Sequence, residues 1–311
     1  MKLLILGDLH GRKPKIPFKD FDMIICVGDV CDNSEMGKLY SLWFKKLNKN
    51  KDLEFEDVLK QKGINKQKQK AIEKRSFQGG RKVLEHLNSL NKPIFFVPGN
   101  WDQSFGKAIK DRKDLSHYQK KTQQYQMLSA KHTNPKLIKG LKNIIDCQFK
   151  LHEFQGLNLI GYGLTNGVEK AGKNYKKNMT KKQFKNLNKK YKRLTESLFK
   201  VYAKRNKKLP TLFLSHSVPY GTKLDIGRQK GSYAYKKHLG STVARDFIKK
   251  YKPLLNVGGH IHDFYGKTKL GKTVCINAGA GKNATVLVKI DKEKTKRIIF
   301  NKNYKDAKEI K

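Results

Sequence analysis

The segment LLNVGGHIH, residues 254–262, decides how the rest of this chain is interpreted. Its apolar first half ends at two glycines, which is typical of a buried strand rather than a helix. Residues i and i+2 point to the same side of an extended backbone, so His260 and His262 can face one point beyond the end of this strand. A histidine pair by itself is a weak indication of a metal site, and the interpretation therefore depends on how the other predicted strands end.

Four further apolar runs, at residues 3–6, 23–27, 94–97 and 211–214, are predicted to be buried strands. Helical stretches lie between them, and this alternation predicts an α/β sheet with its site at the carboxyl ends of the strands. One or two polar residues that can bind a metal follow each run. In chain order these residues are Asp8, His10, Asp29, Asn100 and His216.

With the two histidines of the first segment, the set contains two carboxylates, one amide and four imidazoles. Oxygen and nitrogen ligands without cysteine suit Mn, Fe, Zn or Ni, and we favour manganese. Seven ligands exceed the need of one ion and fit two ions if one carboxylate bridges them. Asp29, after a central strand, is the natural bridge. Two ions about 3.5 to 4 Å apart can hold a bridging hydroxide for in-line attack at phosphorus.

The order of these motifs resembles the calcineurin-like metallophosphoesterase superfamily. The resemblance implies an α/β fold with a two-sheet β-sandwich flanked by helices, and it implies hydrolysis of phosphoesters. It also implies that one ion is held by Asp8, His10, Asp29 and His262, and the other by Asp29, Asn100, His216 and His260. The stretch from His216 to Ser241 resembles a prokaryotic, notably archaeal, branch. The matching motifs, within residues 8–262, are Asp8-x-His10, Gly28-Asp29, Gly99-Asn100, His216 and Gly259-His260-x-His262.

The chain departs from the superfamily immediately after Asn100, where most members carry histidine and this sequence has Trp101. Tryptophan can donate a hydrogen bond but cannot release a proton near neutral pH. We therefore predict that His238, which precedes a predicted helix, protonates the leaving group beside the catalytic Asn100; a turn histidine without chemistry is an equal alternative. Arg12 is predicted to pair with a phosphoryl oxygen, with a surface arginine as the alternative. Asp102 is predicted to be structural.

The composition is strongly basic, with 69 Lys and Arg against 26 Asp and Glu and a formal net charge of +43. Such a charge attracts polyanions, so nucleic acid is a possible partner. Only nine of the cations are arginine. A host genome rich in A and T would enrich lysine throughout the protein, and these lysines would then simply be solvated surface residues. The densest basic stretch is predicted to be an amphipathic helix, and its charged face is compatible with either explanation.

The 311 residues are predicted to form a single domain, 1–311, with helical insertions at about 36–78 and 170–208. No apolar stretch is long enough for a signal peptide or a membrane span, so we expect a soluble cytoplasmic protein without a membrane partner. The oligomeric state is left open. The four cysteines form no Cys-x-x-Cys pair and are predicted to be reduced core thiols: Cys26, Cys31, Cys147 and Cys275.

The sequence therefore predicts a dinuclear metal-dependent phosphoesterase whose substrates are phosphodiesters of nucleotides or nucleic acids. The alternative is a catalytically weak protein of the same fold that binds nucleic acid through its basic surface. Retention of all seven predicted ligands favours the enzyme. Phosphoprotein phosphatase activity is disfavoured by the basic exterior and by Trp101.

Overall fold

The structure, a computed structural model, describes residues 1–47, 50, 52–102, 135–163, 165, 167–170, 180–230, 235–291 and 294–304. Its strands form two mixed six-stranded sheets. The strand orders are β12-β11-β1-β2-β3-β4 and β5-β6-β7-β8-β10-β9. These strands are β1 (Lys2–Leu6), β2 (Met23–Cys26), β3 (Ile94–Phe96), β4 (Ile144–Asp146), β5 (Leu151–Phe154), β6 (Leu157–Tyr162), β7 (Thr211–Ser217), β8 (Leu255–Gly259), β9 (Gly266–Leu270), β10 (Thr273–Asn277), β11 (Thr285–Asp291) and β12 (Lys294–Phe300).

Helices flank both sheets, as the resemblance implied. A serine before an apolar helical pattern predicts that the last helix has Ser241 as its N-cap. This start is confirmed, because the Ser241 side chain accepts a hydrogen bond from the Ala244 N–H at 3.0 Å. That helix ends just before Pro253. The helices are α1 (Ser34–Leu47), α2 (Phe55–Gln61), α3 (Lys66–Asn88), α4 (Pro135–Ile138), α5 (Lys181–Tyr202) and α6 (Thr242–Tyr251).

The main core lies between the two sheets. Successive side chains of a strand point to opposite faces, so Leu3 and Ile5 of β1 enter this core while Leu4 and Leu6 pack toward α3. Leu212 and Leu214 of β7 contribute to the same core from the second sheet. The central strands β1, β2, β7 and β8 are therefore buried on both faces, which explains their nearly continuous apolar sequences.

The long helix α5 covers the outer face of the second sheet. Its residues Leu194, Leu198 and Tyr202 are buried against α6 and the sheet, which confirms the predicted apolar stripe. The opposite face is exposed and basic, with Lys181, Lys182, Lys185, Lys189, Lys192, Arg193 and Lys200.

The first predicted helical insertion contains α1, α2 and the start of α3, which share a small apolar cluster of their own. Trp43, Phe55 and Val58 are fully or almost fully buried within it. Residues 48, 49 and 51 of this insertion, and 171–179 of the second one, lie outside the described residues.

The apolar character of residues 144–151 predicts a single strand, and this prediction is wrong. The structure has two strands here, β4 and β5, and they belong to different sheets. The chain crosses between the sheets through residues 147–150, where Phe149 adopts a φ of +50°. An apolar run cannot reveal such a crossing, because side chains buried in either sheet have the same character.

Two further features concern the helices and the cysteines. None of the helices within the described ranges is long and apolar enough to cross a membrane. The four cysteines are buried and free, in agreement with the prediction of reduced core thiols.

Candidate metal centre

The seven residues predicted as metal ligands converge from both sheets. β1, β2 and β3 are parallel neighbours in one sheet, and β7 and β8 are parallel neighbours in the other. Their carboxyl ends meet at one end of the sandwich, which is where ligands bind in α/β folds. Asp8 and His10 follow β1, Asp29 follows β2, Asn100 follows β3, His216 lies within β7, and His260 and His262 follow β8.

The candidate ligand atoms form two groups, and within each group all of them lie within 4.8 Å of one another. Asp29 belongs to both groups. Oδ1 of Asn100 lies 2.8 Å from Nε2 of His216, so Asn100 adjoins the second group. The structure thus brings all seven residues together, while their role as ligands stays a prediction. The first group is Asp8, His10, Asp29 and His262, and the second is Asp29, His216 and His260.

The backbone is strained at four of these residues. The φ angles of Asp8, His10, Asp29 and His260 are +39°, +46°, +52° and +69°. A left-handed conformation costs a residue with a Cβ roughly 1–2 kcal/mol and persists where the surroundings enforce it. Four of the seven predicted ligands have this conformation. This indicates that the fold holds their side chains in position even though the backbone is strained there.

Backbone N–H groups hold the two carboxylates in place across neighbouring loops. Oδ2 of Asp8 accepts a hydrogen bond from the N–H of His260 at 2.6 Å, which joins the loops after β1 and β8. Oδ1 of Asp29 accepts one from the N–H of Trp101 at 2.7 Å, which joins the loops after β2 and β3. Each carboxylate therefore keeps its second oxygen for another partner.

Asp102 supports these loops, as predicted for a structural residue. Its carboxylate is buried and accepts hydrogen bonds from the N–H of Cys31 at 2.9 Å and of Gly99 at 2.8 Å. Gly99 must be glycine, because a Cβ at this position would overlap Oδ1 of Asp29. The absence of a side chain at Gly99 is therefore what allows the loop after β3 to approach the carboxylate of Asp29.

Burial sets the protonation of the site. It raises the pKa of Asp8 and Asp29 well above the usual range, and the charge of Asp8 raises that of Asp29 further. Burial is also the main cause that lowers the pKa of His10 to about 2 and of His216 to about 4. Both imidazoles are therefore neutral at physiological pH, which is the form that binds metals.

Unmatched acceptor atoms show that these residues fit divalent cations. The buried Oδ1 of Asp8 has no hydrogen-bond partner in the described structure. Nδ1 of His216 donates to the carbonyl of Val27 at 2.8 Å, so Nε2 presents a lone pair to Oδ1 of Asn100 and, at 3.5 Å, to Oδ2 of Asp29. Acceptors that converge without a proton between them have the arrangement of metal ligands.

Trp101 is used for packing. Its ring makes an edge contact with Tyr40 of α1 at a centroid distance of 5.7 Å and packs against the cluster formed by α1, α2 and α3. The residue that replaces the usual histidine thus ties the first helical insertion to the loop that carries Asn100.

His238 lies outside the two groups and is paired with an acid. Its Nδ1 is 2.7 Å from Oδ1 of the fully buried Asp225, and the His238 side chain is 38% exposed. Asp225 also accepts hydrogen bonds from the N–H groups of Thr222 and Gly240, so its position is fixed. Sequence reasoning missed Asp225, although it lies in the stretch after His216 that resembles the prokaryotic branch.

Arg12 is exposed and lies beside the loop at residues 280–283. Its Nη1 is 3.3 Å from the position that a Cβ on Gly281 would take. Its positive charge contributes, after burial and the charge of His262, to lowering the pKa of His10. Arg12 is thus close to the first group of candidate ligands.

Comparison with known proteins gives a family and several structures with a related fold. The family model of calcineurin-like phosphoesterases matches residues 1–264. A comparison with curated proteins gave no match. One crystal structure aligns over 92% of this chain and 94% of its own, with 16% identity and a TM-score of 0.54, and this likeness supports the fold alone.

Two further solved structures are more distant. The protein TT1561 of Thermus thermophilus has 11% identity and a TM-score of 0.46, over 92% of this chain and 93% of its own. A dimetal phosphatase from Danio rerio has 10% identity and a TM-score of 0.42, over 92% of this chain and 91% of its own.

Proposed function

The chain belongs to the calcineurin-like phosphoesterase family, and from this premise we propose that it is a dinuclear metal-dependent phosphoesterase that acts on phosphodiesters. The observation that carries the proposal is the pair of candidate ligand groups that share Asp29. Asp8, His10, Asp29 and His262 would hold one cation, and Asp29, Asn100, His216 and His260 the other. Manganese is the first choice for both, since a mixed oxygen and nitrogen ligand set suits it.

When bound, two divalent cations would supply a nucleophile from water at neutral pH and stabilise charge on the phosphoryl oxygens. The chain itself supplies the remaining functions. His238 donates a proton from Nε2 to the leaving oxygen, and Asp225 is its positioning residue because it accepts the Nδ1–H at 2.7 Å and so orients the ring. Arg12 binds an anionic oxygen of the substrate.

A phosphodiester substrate of the nucleotide or nucleic-acid class is supported by the net charge of +43 and by the exposed basic face of α5. We also propose a single domain over residues 1–311 and a cytoplasmic location. The four free, buried cysteines support a reducing compartment.

Hydrolysis of bis(p-nitrophenyl) phosphate with added Mn²⁺ tests the proposal. Asp29→Asn keeps an oxygen for the N–H of Trp101 but removes the bridging charge, so we expect kcat/KM to fall roughly 100-fold or more. Asp291→Asn, which changes an exposed carboxylate at the end of β11, is the matched control and should retain wild-type activity. Equal activity of wild type and Asp29→Asn would rule the proposal out.

A second candidate function is nucleic-acid binding without turnover, which the basic face of α5 favours. It predicts that binding of a single-stranded oligonucleotide weakens steeply with salt and that no preparation hydrolyses the diester. Replacement of Lys185, Lys189 and Lys192 by glutamine would weaken that binding. Metal-dependent turnover by the wild type would instead assign the site to catalysis.

A further inference from the structure

A cavity of about 330 Å³ opens next to the candidate metal centre and is not part of it. It is lined by Arg12, Ala280, Gly281, Lys282 and Asn283, and none of the seven candidate ligands is among these residues. Its volume is at the lower end of the range for pockets that bind small molecules, roughly 300–1,000 Å³. The cavity can therefore hold a group distinct from the one that reacts at the metals.

The position of the cavity is fixed relative to the centre. The N–H of Gly281 donates to the carbonyl of Asp8 at 2.9 Å, and Arg12 is two residues beyond His10 on the same loop. The N–H of Lys15 also donates to the carbonyl of Lys282 at 2.6 Å. The loop after β1 and the loop at residues 280–283 are thus joined on both sides of the cavity.

The lining is suited to an anion. Arg12 and Lys282 bring two cationic side chains, and both residues are exposed. Within the described ranges, the backbone N–H groups of Lys282 and Asn283 have no acceptor. They follow Gly281, whose φ of +88° turns the chain so that the N–H of Ala284 bonds back to the Gly281 carbonyl at 3.0 Å. Successive free N–H groups after such a residue form an anion-binding concavity.

From this geometry we propose that the cavity binds a second phosphate group of the substrate, next to the phosphoester that is cleaved. The inference rests on the proposed function and narrows its substrate class to phosphodiesters of nucleotides or nucleic acids that carry a second phosphate group next to the one that is cleaved. Arginine binds phosphate through two parallel hydrogen bonds, so Arg12 is the residue that reads the second phosphate. A substrate with a single phosphate would leave the cavity without a charged occupant.

Two matched substrates test the proposal: the p-nitrophenyl ester of thymidine 5′-phosphate, and the same ester with an additional 3′-phosphate. We expect wild-type kcat/KM to be at least about tenfold higher for the ester with the 3′-phosphate, because a charge-assisted hydrogen bond to phosphate contributes about that factor. Arg12→Gln and Lys282→Gln should reduce this preference to below about threefold. Lys13→Gln, an exposed cation next to Arg12 that does not line the cavity, should retain it.

Calorimetry provides a second readout that does not depend on turnover. Thymidine 3′,5′-bisphosphate should bind to the wild type with Mn²⁺ at least about tenfold more tightly than thymidine 5′-phosphate, and Arg12→Gln should remove the difference. If both esters are cleaved equally well, the inference fails and the proposed function stands. If the bisphosphate binds preferentially but neither ester is cleaved, the inference stands and the proposed function fails.

The same second phosphate can belong to a small nucleotide or to a neighbouring unit of a strand. Competition by a short oligothymidylate separates these sources: inhibition much stronger than that by the bisphosphate assigns the phosphate to a strand, and weaker inhibition assigns it to a small nucleotide. Inhibition by either compound that is unchanged in Arg12→Gln would overturn the role of Arg12.

Discussion

The pairing of His238 with Asp225 is the contact on which the proposed proton transfer depends. Asp225 accepts hydrogen bonds from backbone N–H groups as well as from His238, so its carboxylate is satisfied and immobile. Because Nδ1 contacts Asp225, Nε2 is the ring nitrogen that remains for the proposed proton transfer. The chain lacks a proton donor at position 101, and His238 is the residue that we propose in its place.

His238→Gln should slow the cleavage of esters according to their leaving groups. An alkyl alcohol must be protonated as it leaves, so turnover of an alkyl phosphodiester should fall about 100-fold, whereas the p-nitrophenyl ester should change by less than about threefold. Steady-state kinetics on both esters measure the difference. His152→Gln on β5, at a histidine that contacts the Asp146 carbonyl, is the matched control.

An equal loss with both esters would contradict the role of His238 in proton donation. Asp225→Asn should reproduce the leaving-group dependence to a smaller extent, since asparagine can still contact His238 but accepts a weaker hydrogen bond from its Nδ1–H. A purely structural role of Asp225 would affect both esters alike.

Among the elements, α6 is held by an unusual N-terminal partner. The buried carboxylate of Glu169 accepts hydrogen bonds from the N–H groups of Thr242 and Val243 at 2.7 and 3.2 Å. It also accepts hydrogen bonds from the hydroxyls of Thr165 and Ser241, each at 2.7 Å. A negative charge at the first turn complements the helix dipole, and α6 packs on the sheet that carries His216.

Glu169→Gln should destabilise the protein by about 2–3 kcal/mol, because the amide nitrogen cannot accept the hydrogen bonds that a carboxylate oxygen accepts here, and the negative charge is lost. Urea denaturation measures the free energy of unfolding. Glu196→Gln on the exposed face of α5 should stay within about 0.5 kcal/mol of wild type. A loss of stability as small as that of Glu196→Gln would show that the charge of Glu169 does not hold α6.

At the scale of the whole molecule, the carboxyl ends of the neighbouring strands β1 and β2 bring together two acidic groups that repel each other without cations. Asp8 and Asp29 are fully buried, and burial raises the pKa of both. A carboxyl with a raised pKa in the folded state contributes stability below its unfolded pKa and loses it as the pH rises through the folded value. The metal-free protein is therefore destabilised at neutral and alkaline pH by these two groups, and bound cations would relieve this.

Asp29→Asn should consequently raise the melting temperature of the metal-free protein at pH 8, by roughly 2–4 °C, while it removes the increase that Mn²⁺ gives to the wild type. The difference between the two metal-free proteins should shrink as the pH falls toward about 4, where wild-type Asp29 is also protonated. Differential scanning fluorimetry with and without chelator measures both effects. Equal stabilisation of the two proteins by Mn²⁺ would contradict the assignment of Asp29 as a bridging ligand.

The sequence by itself determined the strands that lead into the candidate site and the order of the metal-binding motifs. Both are local: a buried parallel strand appears as an apolar run, and the residues after it are read directly from the chain. The Ser241 cap and the apolar stripe of α5 were predictable for the same reason.

Only the tertiary structure decided the contacts between distant parts of the chain. No local pattern shows that residues 144–151 divide between two sheets, that Asp225 supports His238, or that Trp101 packs on Tyr40. The cavity beside Arg12 also depends on a loop near the opposite end of the sequence. Such contacts depend on how the two sheets pack and on where the chain crosses between them. The spacing of residues along the sequence does not give the distances between them in the fold.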